Sequence, residues 1–313
     1  MTEAVATDRD TYAFLVTGMG GQLSTDFVDV ARPLGQTVFC KGLTIDELDI
    51  TDPFAVKDTV AEWCRVVRSD SPQHKVVVIN AAAYTAVDAA EDDEETAYAV
   101  NATAPALLAQ ACAANGAKLI HVSTDYVFPG DRVDGPPYDV DDQTGPKGAY
   151  GRTKLAGELA VRELLPDDSW VVRTAWVYGV TGHNFVKTMA RLESTRDTIT
   201  VVADQHGSPT WSRDLAKGLW ALARENPPAG TYHCTGSGRT TWHGFAQAVF
   251  EELGADPARV QPIRTEDYPV PAPRPAYSVL SPRAWQEAGL PVMPEWRESL
   301  REAFRLYGSA FRP

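Results

Sequence analysis

From Tyr12 onward the chain alternates two hydrophobic rhythms. Short runs that are apolar at consecutive positions, such as Val76-Val77-Val78-Ile79, are separated by longer stretches whose apolar residues recur at helical spacing. A strand that is apolar at every position is buried on both faces, and strands separated by helices make βαβ units and a parallel sheet. The pattern predicts strands at Tyr12–Thr17, Thr37–Cys40, Val76–Asn80, Lys118–Ser123 and Trp170–Val177, with helices covering both sides. The expected fold class is α/β, a Rossmann-like doubly wound parallel sheet.

After Gly179 the rhythm is less regular. Helices are predicted near Asn184–Leu192, Arg213–Ala223, Thr241–Glu252 and Glu295–Leu306, with further strands at Thr198–Ala203 and Gly230–Cys234. Tyr268 to Pro275 carries four prolines and reads as an extended loop. This half is expected to be a smaller C-terminal substrate lobe packed on the first, with the division near residue 180.

Composition narrows the function classes. With 313 residues, 44% hydrophobic and 23% charged, the chain can bury a core without disulfides or metal. Cys40, Cys64, Cys112 and Cys234 are scattered and form no C-x-x-C pair, which argues against a zinc site and for a reducing, cytoplasmic setting. No apolar run approaches the roughly 18 to 20 residues of a membrane span, and Met1–Asp10 reads as a polar, frayed tail. A net charge of -13 excludes a broad nucleic-acid surface, so an anionic ligand must be held by local donors. The acidic run Glu91–Glu95 is expected to be the solvated first turn of a helix.

The first strand runs into Gly18-Met19-Gly20-Gly21-Gln22-Leu23-Ser24, which then opens a helix. Glycines permit a tight turn and close backbone approach, and a helix N-terminus offers N–H donors to a pyrophosphate. Ser24 stands where the related pattern has its third glycine. The second strand ends in Phe39-Cys40-Lys41 without the acid that would take the ribose hydroxyls of NAD; Lys41 could meet a 2′-phosphate, which favours NADPH over NADH.

Tyr150 and Lys154 stand four apart in a helical stretch and so share a face. A tyrosine needs a nearby cation to act as an acid–base group near neutrality, and Lys154 is expected to lower its pKa. Ser123-Thr124-Asp125 closes an earlier strand, at the carboxyl edge where such sheets bind ligands, and Thr124 is the third candidate.

These residues, with Leu48–Asp52, Asn80–Asp88, Val100–Ala102, Ser123–Phe128, Tyr150–Glu158, Arg173–Tyr178, Asp204–Thr210 and Pro273–Pro275, make the sequence resemble the extended short-chain dehydrogenase/reductases, in particular the reductases of dTDP-linked 4-keto sugars. The resemblance spans nearly the whole chain. It implies an NAD(P)-binding domain at 11–180, a mainly substrate-binding lobe at 181–313, and NAD(P)H-dependent reduction of dTDP-4-dehydro-6-deoxy-L-mannose to dTDP-L-rhamnose. Another dTDP-4-keto-6-deoxyhexose, or a non-catalytic NADP-binding regulatory subunit, stays open as an alternative.

Carried over by position, the resemblance implies that Gly18, Gly20, Gly21, Gln22, Leu23, Asp49, Ile50, Ala81, Ala82 and Ala83 line the cofactor and that Lys154 holds the nicotinamide ribose. It implies that Tyr150 gives the proton, that Thr124 helps it polarise the carbonyl, and that Asp125, Tyr126 and Trp176 meet the substrate. Arg274 would take the diphosphate. Asn101 is expected to be structural, and His183, His206 and His243 to be surface or loop residues. Some members hold magnesium at a dimer contact; Asp26 stands where one such acid lies, but no second ligand can be named and no metal is assigned. A homodimer is allowed.

Overall fold

A computed structural model describes residues 11–32, 38–70, 72–132 and 135–312. Met1–Asp10, expected to fray, and Thr37, the expected start of the second strand, lie outside the described residues. The chain begins with β1 (Tyr12–Thr17), α1 (Gln22–Ala31), β2 (Val38–Leu43), α2 (Pro53–Asp70) and β3 (Lys75–Asn80). Next come the short helices α3 (Ala89–Asp92) and α4 (Glu94–Tyr98), a π turn at Ala99–Thr103, α5 (Ala104–Asn115), β4 (Lys118–Thr124), α6 (Ala149–Leu164) and β5 (Ser169–Thr174). The second part holds β6 (Val177–Tyr178), α7 (Phe185–Thr195), β7 (Ile199–Val202), β8 (His206–Gly207), β9 (Thr210–Trp211) and α8 (Ser212–Glu225). It closes with β10 (Gly230–His233), β11 (Thr240–Thr241), α9 (Trp242–Leu253), β12 (Val260–Ile263), α10 (Arg283–Glu287) and α11 (Trp296–Phe311).

Six strands form one sheet in the order β10-β5-β4-β3-β1-β2, with every neighbouring pair parallel. The continuous apolar runs follow from burial on both sides. Phe14, Val16, Val77 and Ile79 face Phe27 of α1 and Leu215 and Leu219 of α8, while Ala13, Leu15, Val76 and Val78 face Val60 of α2, Leu108 of α5 and Val161 of α6. A separate cluster, with Tyr178, Trp211, Phe245, Phe250 and Leu300, forms the core of the C-terminal lobe. The order reverses at β1, which lies between β2 and β3, and this is where doubly wound sheets open a ligand crevice.

Three expectations change. The single strand predicted over Trp170–Val177 is two, because Trp176 adopts a left-handed backbone (φ 47) and Val177–Tyr178 leaves to pair with β9. The second strand runs on to Leu43, since Lys41, Gly42 and Leu43 pair with Leu15, Val16 and Thr17. Gly230–His233, assigned to the C-terminal half, instead completes the main sheet beside β5, and α8 packs on α1. The division near residue 180 therefore divides the chain and not the sheet.

The acidic run is also not simply solvated. Gly148 gives α6 no side-chain cap, and Glu91 supplies one from outside by accepting the Ala149 N–H at 2.8 Å. Glu94 receives both arms of Arg152, one turn further along, at 2.9 and 2.7 Å. Further down α6 a Cβ at Gly157 would collide with the carbonyl oxygen of Asn101 in the π turn. Helix and π turn thus approach more closely than any side chain allows. Gly157→Ala is expected to destabilise the protein by about 1–3 kcal/mol, the usual cost of forcing an extra methyl into a packed contact; urea unfolding measures it, and an unchanged midpoint would show that the turn yields freely.

Candidate active site

β1 ends in a turn that only glycine can make at its first position. Gly18 has φ 73, and a Cβ there would sit 2.8 Å from the Ala82 Cα, so the loop lies directly on the segment after β3. Ser24, in place of a third glycine, is buried and donates its hydroxyl to the Gly18 carbonyl at 2.6 Å. The serine ties the turn closed. α1 opens at Gln22 with its first-turn N–H groups lacking intrahelical partners, the donor set that suits a pyrophosphate.

A cleft of about 700 Å³ begins at this loop and is lined by Gly18, Gly21, Gln22 and Leu23, by Ala81–Ala83, and by Thr124, Asp125, Tyr126, Tyr150, Lys154 and Trp176. Most of the candidates are brought together here from five separate stretches of chain. Gly20 is exposed with open space around it and is not part of the lining. Lys41 pairs with Leu15 and turns to the α2 side, where it borders a different hollow with Asp58, Glu62 and Trp63. Asp49 and Ile50 are outside the lining as well: the Asp49 carboxylate accepts Thr51 N–H at 2.9 Å and the Thr51 hydroxyl at 2.7 Å, which holds it below its usual pKa, and Ile50 is in the core.

Tyr150 and Lys154 lie one turn apart on α6 and both face the cleft. Lys154 is 2% exposed and donates to the Val122 carbonyl at 2.7 Å. Burial lowers its pKa to about 8, opposed by the charge of Glu158. Glu158 in turn is locked to Arg173 of β5 at 2.7 Å, a buried pair that fixes α6 to the sheet. The Tyr150 phenol is pushed up to about 12 by burial, opposed by its hydrogen bond with Thr124, while the Asp125 charge adds to the rise. The lowering expected from Lys154 is therefore not what the site shows. The lysine's charge is directed at a backbone carbonyl, and the tyrosine stays a protonated acid.

Thr124 closes β4, and its hydroxyl donates to Asp125 Oδ1 at 2.9 Å while accepting the Tyr126 N–H at 3.2 Å. Asp125 is 2% exposed, and burial raises its pKa to about 6 against hydrogen bonds from Ser278 and Thr124. The Tyr126 ring meets Tyr150 edge to face, centroids 5.6 Å apart. Asn101, in the π turn, accepts the Tyr84 N–H at 2.9 Å and donates to the Tyr84 carbonyl at 3.1 Å and to Thr153 of α6 at 3.2 Å. It is structural, as the sequence implies.

The far wall comes from the C-terminal lobe. Trp176 stacks on Trp242, the first residue of α9, at 3.6 Å and 9°, and its other side lies against the Gly207 backbone. With both faces covered, Trp176 offers a ligand its edge. Trp242, His183, Thr85, Val87 and Thr174 also line the cleft and were given no site role from sequence, His183 being expected only as a surface or loop residue. Trp242 carries no local signal, being 66 positions from its stacking partner by sequence number. His183 is exposed in its loop at the cleft edge, whereas His243 is a helix residue whose Nε2 meets the Val260 carbonyl at 3.0 Å.

Two expected ligand roles meet a competing partner. Arg274 is 2.7 Å from Asp88 Oδ2 and donates to the Ala272 carbonyl, so its charge is already paired and it stands outside the cleft lining. Asp88 also accepts the Ala272 N–H, which pins the proline-rich loop. Asp26 is buried, with its carboxylate bonded by the Ser212 hydroxyl and Arg213 at 4.0 Å. Burial raises its pKa, and among the described residues no cluster of His, Cys, Asp or Glu forms a metal ligand set. Asp26 instead fastens α1 to α8.

Comparison with known proteins adds an independent line. The family model described as the RmlD substrate binding domain matches residues 12–308. The chain is 48% identical over 305 residues to a dTDP-4-dehydrorhamnose reductase of Streptomyces griseus, covering 96% of each chain. It is 48% identical over 292 residues to one of Mycobacterium tuberculosis, covering 92% of this chain and 91% of the relative. The crystal structure of a dTDP-4-dehydrorhamnose reductase of Bacillus anthracis in complex with NADP superimposes with a TM-score of 0.86 at 36% identity, over 95% of this chain and 99% of that one. Sequence and fold agree over almost the full length, and the chain belongs to the RmlD substrate binding domain family.

Proposed function

We propose that the protein reduces the 4-keto group of dTDP-4-dehydro-6-deoxy-L-mannose to give dTDP-L-rhamnose, with NADPH as reductant. The observation that carries this reading is the convergence of Tyr150, Thr124 and the buried Lys154 on the cleft that opens at the glycine loop. A loop that no side chain can enter at Gly18, followed by a helix N-terminus, fits a dinucleotide. The relative that binds NADP supports the phosphorylated cofactor.

In this reading Gly18, Gly21, Gln22, Leu23 and Ala81–Ala83 hold the dinucleotide, and Lys154 holds the nicotinamide ribose. The bound reduced nicotinamide supplies the hydride for the carbonyl carbon. Tyr150 gives its phenolic proton to the carbonyl oxygen as that oxygen gains charge. A phenol near 12 is protonated throughout the neutral range, so the resting enzyme holds the acid that a reduction needs. The edge of Trp176 and the side chains of Asp125 and Tyr126 border the sugar's side of the cleft. Arg274 steadies the proline-rich loop through Asp88, and its role toward the diphosphate stands as a proposal that the Michaelis constant of Arg274→Ala for the sugar nucleotide checks.

Such an enzyme works on a small soluble dTDP-sugar, and its free cysteines suit the cytoplasm. The homodimer that the family resemblance allows belongs to the same proposal and is checked by sedimentation velocity. Turnover over a panel of dTDP-4-keto sugars, with NADPH and NADH compared, tests the function; oxidation of neither cofactor by any sugar would overturn it.

Tyr150→Phe is expected to lower turnover by ~100-fold or more, since general acid catalysis contributes ~10²–10⁴-fold, while the cofactor still binds. Wild-type turnover in that variant would remove Tyr150 from the reaction.

Lys154 carries its charge below about 8 and loses it as pH rises through that value. NADPH should therefore bind more weakly at pH 9 than at pH 7, and Lys154→Arg, which stays charged, should show a weaker but pH-independent dissociation constant. Fluorescence titration of the cofactor measures both; a flat profile in the unmodified protein would refute the role.

A further inference from the structure

Trp176 is held in a conformation that its own backbone resists. Its φ of 47 lies in the left-handed region, where a bulky side chain is strained. Such strain persists only where the surroundings over-determine it, and at the wall of a cleft it points to function. The C-terminal lobe supplies the constraint. The Thr210 N–H donates to the Trp176 carbonyl at 3.2 Å, Val177 and Tyr178 pair with Thr210 and Trp211, and the indole lies between Trp242 and the Gly207 backbone.

The two sides of that slot belong to one ladder. Gly207 of β8 pairs with Thr240 of β11, and Trp242 opens α9 directly after β11. The backbone on one face of the indole and the ring on the other are therefore fixed relative to each other. The Trp176 and Trp242 rings stand 3.6 Å apart and 9° from parallel, and any Cβ at position 207 would collide with the Trp176 indole. The slot is one ring thick. Trp242 is itself backed by Phe185 at 4.7 Å and Phe245 at 6.4 Å, which belong to the apolar cluster of the C-terminal lobe. It cannot swing aside without disturbing that cluster.

We propose that Trp242 is a positioning residue for the sugar nucleotide: with Gly207 it clamps Trp176 so that the indole meets the ligand by its edge and cannot turn to stack on it. This deepens the reading above and rests on it. The distinction is chemical. The face of an aromatic ring is the negative side of its quadrupole and takes other flat or apolar groups, whereas the edge is the positive side and suits oxygen atoms. A free indole face would reward any flat ring, thymine included. An edge held in place favours the oxygen-bearing sugar.

Steady-state kinetics and circular dichroism test the clamp together. Trp242→Ala should raise the Michaelis constant for the sugar nucleotide about three- to tenfold, the scale of one aromatic contact, and leave the dissociation constant of NADPH unchanged. Trp242→Phe keeps a ring in the slot, so it should recover most of that loss, and it guards against misfolding of the alanine variant. Gly207→Ala reaches the same indole from the other side and should give the same rise. The double variant should lose less than the product of the two, because the indole needs to be displaced only once. Without any substrate, two stacked indoles give an exciton couplet in the far-ultraviolet circular dichroism. Trp176→Phe and Trp242→Phe should each remove the same couplet, and Gly207→Ala should weaken it. Unchanged Michaelis constants in both Trp242→Ala and Gly207→Ala, losses that multiply in the double variant, an equal weakening of NADPH, or a couplet indifferent to Gly207→Ala would each overturn the proposal. If no sugar of the panel is turned over, the couplet still reports on the slot, so failure of the substrate assignment is told apart from failure of the clamp.

Discussion

The site depends on how closely α6 can approach the π turn at Ala99–Thr103. Asn101 holds the Tyr84 backbone with two hydrogen bonds and Thr153 with a third, so the segment that lines the cleft after β3 and the helix that carries Tyr150 and Lys154 are fixed to one side chain. At Gly157 the helix has no Cβ to strike the Asn101 carbonyl oxygen. Glu91 caps the helix start and the Glu158–Arg173 pair ties its middle to β5. A buried hydrogen-bonded asparagine is costly to disturb, because every group it leaves unpaired loses its partner without regaining water. The helix that carries Tyr150 and Lys154 is thus held at three levels by groups outside the cleft lining.

Much of this was legible along the chain, for identifiable reasons. Strands buried on both faces announce themselves as continuous apolar runs, and Val76–Ile79 falls inside β3 as expected. The spacing of Tyr150 and Lys154 is a property of one helix and survives any tertiary arrangement. Ser123–Asp125 could be placed because a strand's carboxyl end is where this architecture opens. Each is a local fact or follows from the sheet.

What stayed hidden is long-range or a matter of which partner wins. Arg274 offers a guanidinium to any anion, and only the fold reveals that Asp88, 186 positions away, already takes it. Lys41 lies on the face of β2 that strand pleating turns to the α2 side with Leu15. Trp242 reaches Trp176 only when the core of the C-terminal lobe closes. The tyrosine's acidity also resisted prediction, because Lys154 is close enough in sequence but its ammonium is directed at Val122, and burial raises the phenol against the Thr124 hydrogen bond. Glu91 and Glu94 looked like solvent-facing acids because their partners, Ala149 and Arg152, lie 58 residues further on.

The late return of the chain to the sheet bears on how the protein is made. α1 finds its apolar partner in α8, and β5 finds its outer neighbour in β10, both contributed after the lobe-forming segment of α7 and β7 to β9 has been laid down. Asp26 and Ser212, bonded across that gap, are separated by 186 residues. During synthesis the glycine loop and its helix therefore emerge long before the surface that covers them. Domains tend to fold as units from the N-terminus, and non-local pairings form slowly. Here the N-terminal half lacks part of its own cover when it emerges: the partners of Phe14, Val16 and Phe27 include residues of α8, which are made only after the lobe-forming segment.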